Sequence, residues 1–284
     1  MNYRHAYHAG NHADVLKHVA LTRLIALMQK KDKGFLFLDA HAGIGTYALD
    51  GMEALKTGEW QGGIGKLTAP FTPDVEALLS PYRKIIAAMN PAPAGHLNRY
   101  PGSPELAARL LRPQDRLVLN ELHLQDFAAM ARDYAGDKRV DVLREDAAAA
   151  IKLKLPPAER RGLILIDPPY EQADEAQRAV DMLAQGLRRF ATGVFVLWYP
   201  VKADGLDKRV AEGVAALGIA GTLQVELRVR EAFDAGGLAG SGLMIVNTPW
   251  TFDDDMKRLA PALAQRLGLG DWGRATVKWR VPPV

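Results

Sequence analysis

The stretch of sequence that decides the fold is Gly162-Leu163-Ile164-Leu165-Ile166-Asp167-Pro168-Pro169-Tyr170. Its apolar, partly β-branched run predicts a buried strand that ends at Asp167. Pro168 and Pro169 fix their own φ angles and keep the preceding residues out of the helical region, so the Asp167 carboxylate and the following carbonyl groups point in set directions. Such a loop can hold a planar amine, and the Tyr170 ring can lie against an aromatic ligand. The alternative is a strand followed by a proline-stopped turn without a further role.

Three other predicted strands also end at a carboxylate. They run from Phe35 to Asp39, from Arg116 to Glu121 and from Val140 to Asp146. Because helices are predicted between them, the strands should be parallel, with their carboxyl ends and their ligands at one edge of a doubly wound sheet. Two later strands, Thr222 to Arg230 and Leu243 to Asn247, should form an antiparallel pair. The sequence therefore predicts a Rossmann-like α/β fold that is mostly parallel.

A glycine-containing segment, Asp39-Ala40-His41-Ala42-Gly43-Ile44-Gly45, begins at the end of the first strand. Glycines let the backbone approach a ligand closely, and Asp39 would lie beside that ligand. The dinucleotide fingerprint would have a third glycine where Ala48 stands, although alanine is permitted there, and its ribose-binding acid about 20 residues later. Here Glu121 follows Asp39 by 82 residues. The pattern favours S-adenosylmethionine (SAM), which has no pyrophosphate to bind.

The long interval before Glu121 contains an insertion. Residues 52–100 are rich in glycine and proline and include a helical pattern from Val75 to Met89. We expect a small, mostly helical subdomain over 52–100, inserted into a SAM-binding domain made of residues 1–51 and 101–284. At the end of the insertion, Ser103 is placed to cap a helix that begins with a proline.

The first 41 residues contain five of the seven histidines. Apolar residues spaced four apart from Asp14 to about Lys30 predict an amphipathic helix that carries His12 and His18 in its first turns. His8 and His12 would face the same side if both were helical, which is one way to hold a metal ion. No catalytic glutamate or third ligand accompanies them, so we predict no metal site.

Composition limits the class of protein. A chain of 284 residues can bury a full core, and without cysteine it has neither disulfides nor thiolate metal sites. No run approaches the roughly 18 apolar residues of a membrane helix, and the polar N-terminus does not look like a targeting signal. We expect a soluble, cytoplasmic monomer. With 36 Lys+Arg and 33 Asp+Glu, the net charge of +3 permits nucleic acid as a partner without requiring it.

Three segments resemble one known family. The D-P-P-Y sequence at 167–170 matches [DNS]-P-P-[YFW], the signature of class I SAM-dependent methyltransferases that act on exocyclic amino groups. The N-terminal string from Tyr3 to His18, taken with Asp39 to Gly43 and Tyr100 to Pro104, resembles the ribosomal RNA large-subunit methyltransferase J family over essentially the whole chain. The resemblance implies transfer of a methyl group from SAM to N6 of an adenine in 23S rRNA.

The resemblance also implies roles for individual residues. Asp167 would be the catalytic acceptor, together with Pro168 and Tyr170 of the same motif, and Tyr3 and Arg4 would contact the RNA. The SAM site would be lined by His18, Asp39, His41, Gly43, Ser103, Glu121, Asp146, Ala147 and Asp167. Ala147 stands where we expect glycine in relatives, a change that a backbone contact to the cofactor would survive.

Three other functions stay open on the residues alone. The D-P-P-Y motif also suits an amino methyltransferase that acts on DNA adenine, on cytosine N4 or on a protein amide. A non-catalytic RNA-binding protein on a Rossmann scaffold would not need four strand-end acids. A nicotinamide dehydrogenase is disfavoured by the missing third glycine and by the insertion before Glu121.

Overall fold

The structure is a computed structural model that describes residues 4–91, 96–172, 174–232 and 237–284. Helices and strands alternate along most of these residues. The helices are α1 (His12–Met28), α2 (Met52–Thr57), α3 (Pro73–Met89), α4 (Ser103–Leu110), α5 (Leu124–Asp133), α6 (Ala147–Lys154), α7 (Glu175–Arg189), α8 (Leu206–Ala216) and α9 (Phe252–Leu267). The strands are β1 (Leu36–Asp39), β2 (Thr46–Ala48), β3 (Arg99–Pro101), β4 (Arg116–Asn120), β5 (Val140–Leu143), β6 (Gly162–Ile166), β7 (Val194–Val201), β8 (Thr222–Arg228), β9 (Gly240–Val246) and β10 (Arg274–Val281). Short 3-10 helices cover His5–Tyr7, Glu59–Gly62 and Ile64–Leu67.

Eight strands form one sheet in the order β10-β8-β9-β7-β6-β1-β4-β5. The strands from β7 to β5 in this order pair in parallel, whereas β7, β9, β8 and β10 pair antiparallel. The predicted doubly wound α/β sheet with an antiparallel β8–β9 pair is therefore confirmed. Strand order reverses at β1, which lies between β6 and β4, and α/β folds bind ligands in the crevice outside such a switch point.

The central strands are buried on both faces. In β6, Leu163 and Leu165 join one hydrophobic cluster while Ile164 and Ile166 join another, because successive side chains of a strand point to opposite faces. Residues of α1, α3, α4 and α9 fill the first cluster, and residues of α6, α7 and α8 fill the second. This two-sided cover explains why the strand sequence is apolar throughout.

Helix α1 is not amphipathic, and that prediction was wrong. It begins at His12, with the Asn11 side chain accepting hydrogen bonds from two backbone N–H groups of the first turn. Fourteen of its 17 residues are buried, including Asp14, Lys17 and His18, because α3, α4, α9 and β9 all contact it. The regular apolar spacing indicated one buried face, and the polar face is buried as well.

The described part of residues 52–100 is mainly helical, as α2, two 3-10 helices and α3. Leu79, Tyr82 and Ile85 of α3 belong to the same hydrophobic cluster as the residues of α1. Strands β2 and β3 pair antiparallel at the base of the insertion. The division into a methyltransferase domain and a subdomain stays a prediction, and the shared core shows how closely the two parts are joined.

In the described ranges, none of the helices has the length and apolar character that spanning a membrane requires.

Candidate active site

The D-P-P-Y loop and the glycine loop meet at the carboxyl edge of the sheet. Asp167 directly follows β6, and β6 pairs in parallel with β1, which ends at Asp39. The backbone N–H of Asp167 donates to Nδ1 of His41 at 3.2 Å, so His41 carries its proton on Nε2. Burial lowers the pKa of His41 to about 4, which keeps the ring neutral at neutral pH.

The carboxylate of Asp167 forms an ion pair with Lys17 of α1. The distance from Lys17 Nζ is 2.6 Å to Asp167 Oδ2 and 2.9 Å to Asp14 Oδ1. Asp14 Oδ2 in turn lies 2.8 Å from His5 Nε2 and accepts the Gly10 backbone N–H at 2.9 Å. A chain of polar side chains in direct contact therefore runs from the N-terminal segment through α1 to the D-P-P-Y loop.

Lys17 and Asp14 are almost completely buried, at 5% and 1% exposure. Burial alone would lower the pKa of Lys17, but Asp14 and Asp167 raise it well above its ordinary value. Burial likewise would raise the pKa of Asp14, but His5 and Lys17 hold it well below its ordinary value. Lys17 is therefore a fixed cation and Asp14 a fixed anion.

Tyr170 is held in a left-handed backbone conformation, with φ 52°. Its hydroxyl donates to the Trp198 carbonyl oxygen at 2.7 Å, and the centroids of the two rings lie 5.9 Å apart. Only 6% of Tyr170 is exposed, so a base can stack on it only after neighbouring side chains move. Trp198 lies beside the ion pair, with Lys17 Nζ 5.8 Å from its ring centroid. Among the described residues, no group accepts the buried Trp198 indole N–H.

Asp39 is fully buried at the end of β1. Its Oδ1 accepts the His41 backbone N–H at 3.2 Å, whereas Oδ2 has no hydrogen-bond partner within the described ranges. Burial raises the pKa of Asp39 to about 7, against the lowering effects of the Ser103 hydroxyl and the His41 N–H. An unpartnered carboxylate oxygen in this position suits a donor or a positive charge supplied by a ligand.

Glu121 holds the glycine loop in place. Its Oε2 accepts the Gly43 backbone N–H at 2.8 Å, and its Oε1 accepts the His123 N–H at 2.8 Å. Gly43 has a φ of +68°, and a Cβ atom added to it would lie 2.4 Å from the Tyr47 hydroxyl. Glycine is required there on both counts. Each Glu121 oxygen has a further lone pair with which to accept a hydroxyl of a ligand.

Asp146 caps α6 through Oδ1, which accepts the N–H groups of Ala148 and Ala149 at 3.0 and 3.3 Å. Ala147 is the first residue of that helix. Asn120 fixes the neighbouring strand ends, because its Nδ2 donates to the Ala40 oxygen at 3.1 Å and to the Glu145 oxygen at 3.0 Å. The loops after β1, β4 and β5 are thereby tied together at one edge.

His18 lies deep in the core side of the site. Its Nδ1 is 2.8 Å from the Tyr100 hydroxyl, which is 3.0 Å from the Tyr82 hydroxyl, and the rings of His18 and Tyr100 stack. Burial lowers the pKa of His18 to about 3, so the ring is neutral. His18 Nε2 lies 4.0 Å from Asp14 Oδ1.

Comparison with known proteins identifies the family of the chain. The family model described as "Ribosomal RNA large subunit methyltransferase D, RlmJ" matches residues 32–281. The chain belongs to the ribosomal RNA large-subunit methyltransferase J family. The Ribosomal RNA large subunit methyltransferase J of Haemophilus influenzae is 42% identical over 285 residues and covers 99% of each chain. The protein of the same name from Escherichia coli is 43% identical over 282 residues, again with 99% of each chain.

A crystal structure of a protein from Legionella pneumophila has the same fold. Its sequence is 32% identical, the TM-score is 0.85, and the match covers 95% of this chain and 98% of that one. The family model and the two relatives confirm the resemblance to the methyltransferase J family that the sequence showed.

In this member of the methyltransferase J family, most of the predicted site residues gather at the carboxyl edge. Asp39 accepts the His41 backbone N–H, and the His41 ring accepts the Asp167 backbone N–H. Burial, with a smaller effect of the Asp167 charge, raises the pKa of Asp39. Ser103 is also near Asp39, but it is the first residue of α4 and Gly102 is the N-cap, so the predicted capping role was wrong. The functional roles themselves stay predictions.

The sequence suggested Tyr3 and Arg4 as RNA contacts and raised His8 and His12 as one way to hold a metal ion. Arg4 is exposed, and Tyr3 lies outside the described residues. His8 lies before the N-cap of α1 and forms an ion pair with Glu59 at 2.9 Å, so His8 and His12 do not share a helix face. Within the described ranges, no group of three or more His, Cys, Asp or Glu side chains is arranged to hold a metal ion.

Sequence reasoning missed Lys17 and Asp14 as site residues. One signal was available, because they are opposite charges at i, i+3 in a helix that is otherwise mostly apolar. Charged side chains are almost never fully buried unless they are paired. If α1 had been recognised as a buried helix, this ion pair would have been predicted. The spacing of its apolar residues did not show that the helix is buried on all sides.

Proposed function

We propose that the protein transfers the methyl group of SAM to the exocyclic N6 of a specific adenine in 23S rRNA. One observation carries the proposal: the D-P-P-Y loop leaves β6 beside the glycine loop, and the Asp167 N–H donates to His41 at the switch point of the sheet. Membership of the methyltransferase J family supports methyl transfer and an rRNA substrate. The chemistry of the loop supports an exocyclic amino group as the acceptor, and the choice of adenine N6 rests on the resemblance carried by the sequence.

The carboxyl edge suits SAM as the cofactor. SAM supplies a methyl group activated by the positive charge of its sulfonium. Asp39 Oδ2, buried and without a partner among the described residues, can accept a donor of such a cationic ligand. Glu121 is positioned as the acid that accepts ribose hydroxyls, and the positive φ angles of Gly43 and Gly45 allow the backbone to approach the ligand.

The acceptor nitrogen needs two hydrogen-bond acceptors. The lone pair of adenine N6 is delocalised into the ring, which makes N6 a weak nucleophile. If Asp167 and the Pro168 carbonyl each accept one N6 hydrogen, the lone pair is localised toward the methyl group. The proton becomes acidic once the nitrogen is methylated and can leave to Asp167 or to water.

Lys17 holds one oxygen of Asp167 in place. The Lys17 ammonium donates a hydrogen bond to Asp167 Oδ2 at 2.6 Å, so this oxygen serves as an acceptor. Since Lys17 holds Oδ2, we assign Oδ1 as the oxygen that accepts the N6 hydrogen. Lys17 also fixes the direction of the carboxylate, because Asp14 holds the ammonium from the other side.

The target base must leave its stack to reach Asp167. Unstacking costs a few kcal/mol, and less for an unpaired base. Stacking on an aromatic side chain offsets this by about 1–3 kcal/mol per base. The rings of Tyr170 and Trp198, next to the ion pair, are the candidates for this contact.

The test is methyl transfer from labelled SAM to separate 23S rRNA, DNA and protein substrates, with the product nucleoside identified by mass spectrometry. We expect label in N6-methyladenosine from 23S rRNA alone. Label in DNA or in a protein amide would instead assign the chain to another class of amino methyltransferase. Failure to bind SAM would indicate a non-catalytic RNA-binding protein. The same mass spectrometry on RNA from a strain that lacks the protein locates the modified adenine.

A further inference from the structure

A cavity lies mostly in the inserted segment, outside the residues of the D-P-P-Y and glycine loops. Its volume is about 290 Å³. The walls come from the end of β2, from α2, from the two 3-10 helices and from the residues before β3. The lining includes Leu49, Asp50, Leu55, Trp60, His96 and Leu97.

The chemistry of this cavity matches a nucleobase. Trp60 and His96 offer aromatic surfaces, and the three leucines offer apolar ones. The buried Nε1 of Trp60 has no hydrogen-bond partner in the described part of the chain. The Asp50 carboxylate, which also lines the cavity, would accept an exocyclic amine of a base.

The rim of the cavity is built for contact with a partner rather than for packing. Leu55 of α2, a lining residue, is 61% exposed, and Met52, three residues earlier on the same helix, is 86% exposed. The exposed side chains of Lys56, beside Leu55, and of Arg99, two residues after Leu97, add positive charge near this rim. Apolar surface flanked by cations is the combination that binds bases together with their phosphates.

The wall that carries Trp60 is joined to the active-site helix. A Cβ atom added to Gly10 would lie 3.2 Å from Trp60 Cβ, and the Ile64 N–H donates to the Gly10 oxygen at 2.8 Å. Glu59, the residue before Trp60, accepts the Asn11 side-chain N–H at 3.0 Å. Since Asn11 caps α1, which carries Lys17, an RNA strand bound at this cavity is held in a set position relative to Asp167.

We propose that this cavity binds an unstacked base of the substrate RNA, one that flanks the target adenine and carries an exocyclic amine. The inference rests on the proposed function, because it names a second contact of the same RNA. Its role is to set the register of the strand, so that the target adenine reaches Asp167 and its neighbours do not.

The experiment combines protein variants with an abasic scan of the RNA. The pocket variant is Leu55→Ala with His96→Ala, two exposed side chains whose loss leaves the core intact. The matched control is Leu153→Ala on α6, which is 63% exposed. Each protein is tested with a short RNA that contains the target adenine, in a series with one abasic site at each flanking position.

For the wild-type protein, we expect one flanking abasic site to lower kcat/KM and the RNA affinity about tenfold, the value of one stacked base. In the pocket variant, the intact RNA should already show this loss and that abasic site should add nothing, while the SAM affinity stays unchanged. The Leu153→Ala control should behave as the wild type.

Equal abasic penalties at every position in the wild-type and pocket-variant proteins would overturn the inference. RNA affinity, measured by fluorescence anisotropy, does not depend on turnover. If the wild-type protein binds this RNA and senses the abasic site but methylates nothing, the proposed function fails and the pocket stands. If it methylates the RNA with no sensitive flanking position, the pocket fails alone.

Discussion

Lys17 Nζ lies 2.6 Å from Oδ2 of Asp167, although 150 residues separate the two in the chain. The contact joins the first helix to the loop after the fourth parallel strand along the chain, β6. Both Lys17 and its second partner Asp14 are buried, so the cation is held between two anions in a region that excludes water. This arrangement sets the direction of the proposed acceptor.

Removing the cation should destabilise the protein. Lys17→Met leaves the buried Asp14 and the partly buried Asp167 without their shared cation, a change that costs about 3–5 kcal/mol. We expect a lower midpoint of denaturant unfolding and loss of methyl transfer. In the double variant Lys17→Met, Asp167→Asn the loss of stability should be smaller than the sum of the two single losses, because they share one interaction. Additive losses would show that the ion pair contributes nothing.

Removing the acceptor should affect the reaction rather than the cofactor. Asp167→Ala is expected to reduce single-turnover methyl transfer by at least about 10²–10³-fold, the effect of losing one pre-aligned hydrogen-bonding group. The SAM dissociation constant, measured by calorimetry, should stay nearly the same. Unchanged turnover would contradict the proposed role of Asp167, and equal losses in SAM binding would move it to the cofactor site.

Asp39 should make SAM binding depend on pH. Burial raises its pKa to about 7 in the folded chain, against 3.8 for a free side chain. A cationic ligand at Oδ2 favours the ionised form, so SAM should bind more tightly as pH rises through about 7 and should release a proton below that pH. Calorimetry in buffers of different ionisation enthalpy measures this proton. In Asp39→Asn both effects should disappear.

The same raised pKa has a consequence for stability. Because the unfolded chain releases the Asp39 proton near pH 4 and the folded chain holds it to about pH 7, the contribution of Asp39 to stability is full below pH 4 and is lost as pH rises to 7. Urea unfolding of wild type and Asp39→Asn between pH 5 and 8 checks the sign. The difference between the two proteins should favour the variant increasingly as pH rises.

Substitutions of Tyr170 distinguish a packing role from a role in binding the base. Its ring is 6% exposed, so Tyr170→Ala should lower the free energy of unfolding by about 3–5 kcal/mol, the usual loss for a buried aromatic residue. Tyr170→Phe removes only the hydrogen bond to the Trp198 oxygen and should cost about 1 kcal/mol. If the ring also holds the base, Tyr170→Leu should raise the KM for RNA without changing that for SAM. An unchanged KM would leave Tyr170 a core residue.

Trp198→Phe tests the unpartnered indole N–H beside the ion pair. The substitution keeps an aromatic ring and removes one donor that no described residue satisfies. If the substrate accepts this N–H, kcat/KM for RNA should fall about tenfold, as for one lost hydrogen bond in a buried site. Stability should fall moderately, because Trp198 packs against both hydrophobic clusters and a phenyl ring is smaller than an indole. A fall in stability without a kinetic change would indicate a packing role alone.

Much of the fold could be predicted because its signals are local. The apolar runs that end at Asp39, Asp167 and near Glu121 became β1, β6 and β4 with boundaries within one residue, since a strand buried on both faces needs an apolar sequence of that length. The antiparallel pairing of β8 with β9 also followed from the pattern. The cap at Ser103 failed because Gly102 takes that position, a choice that differs by one residue and depends on the entry of the chain from β3.

By itself, the sequence determined the strands, the carboxylates at their ends and the stiffness of the D-P-P-Y loop, because apolar runs and proline φ angles act within a few residues. Only the tertiary structure decided what those carboxylates meet. Packing of α1 against α3, α4 and α9 buries its polar side as well as its apolar side. A buried cation needs an anion within reach, and the parallel pairing of β1 with β6 brings Asp167, 150 residues away, to Lys17.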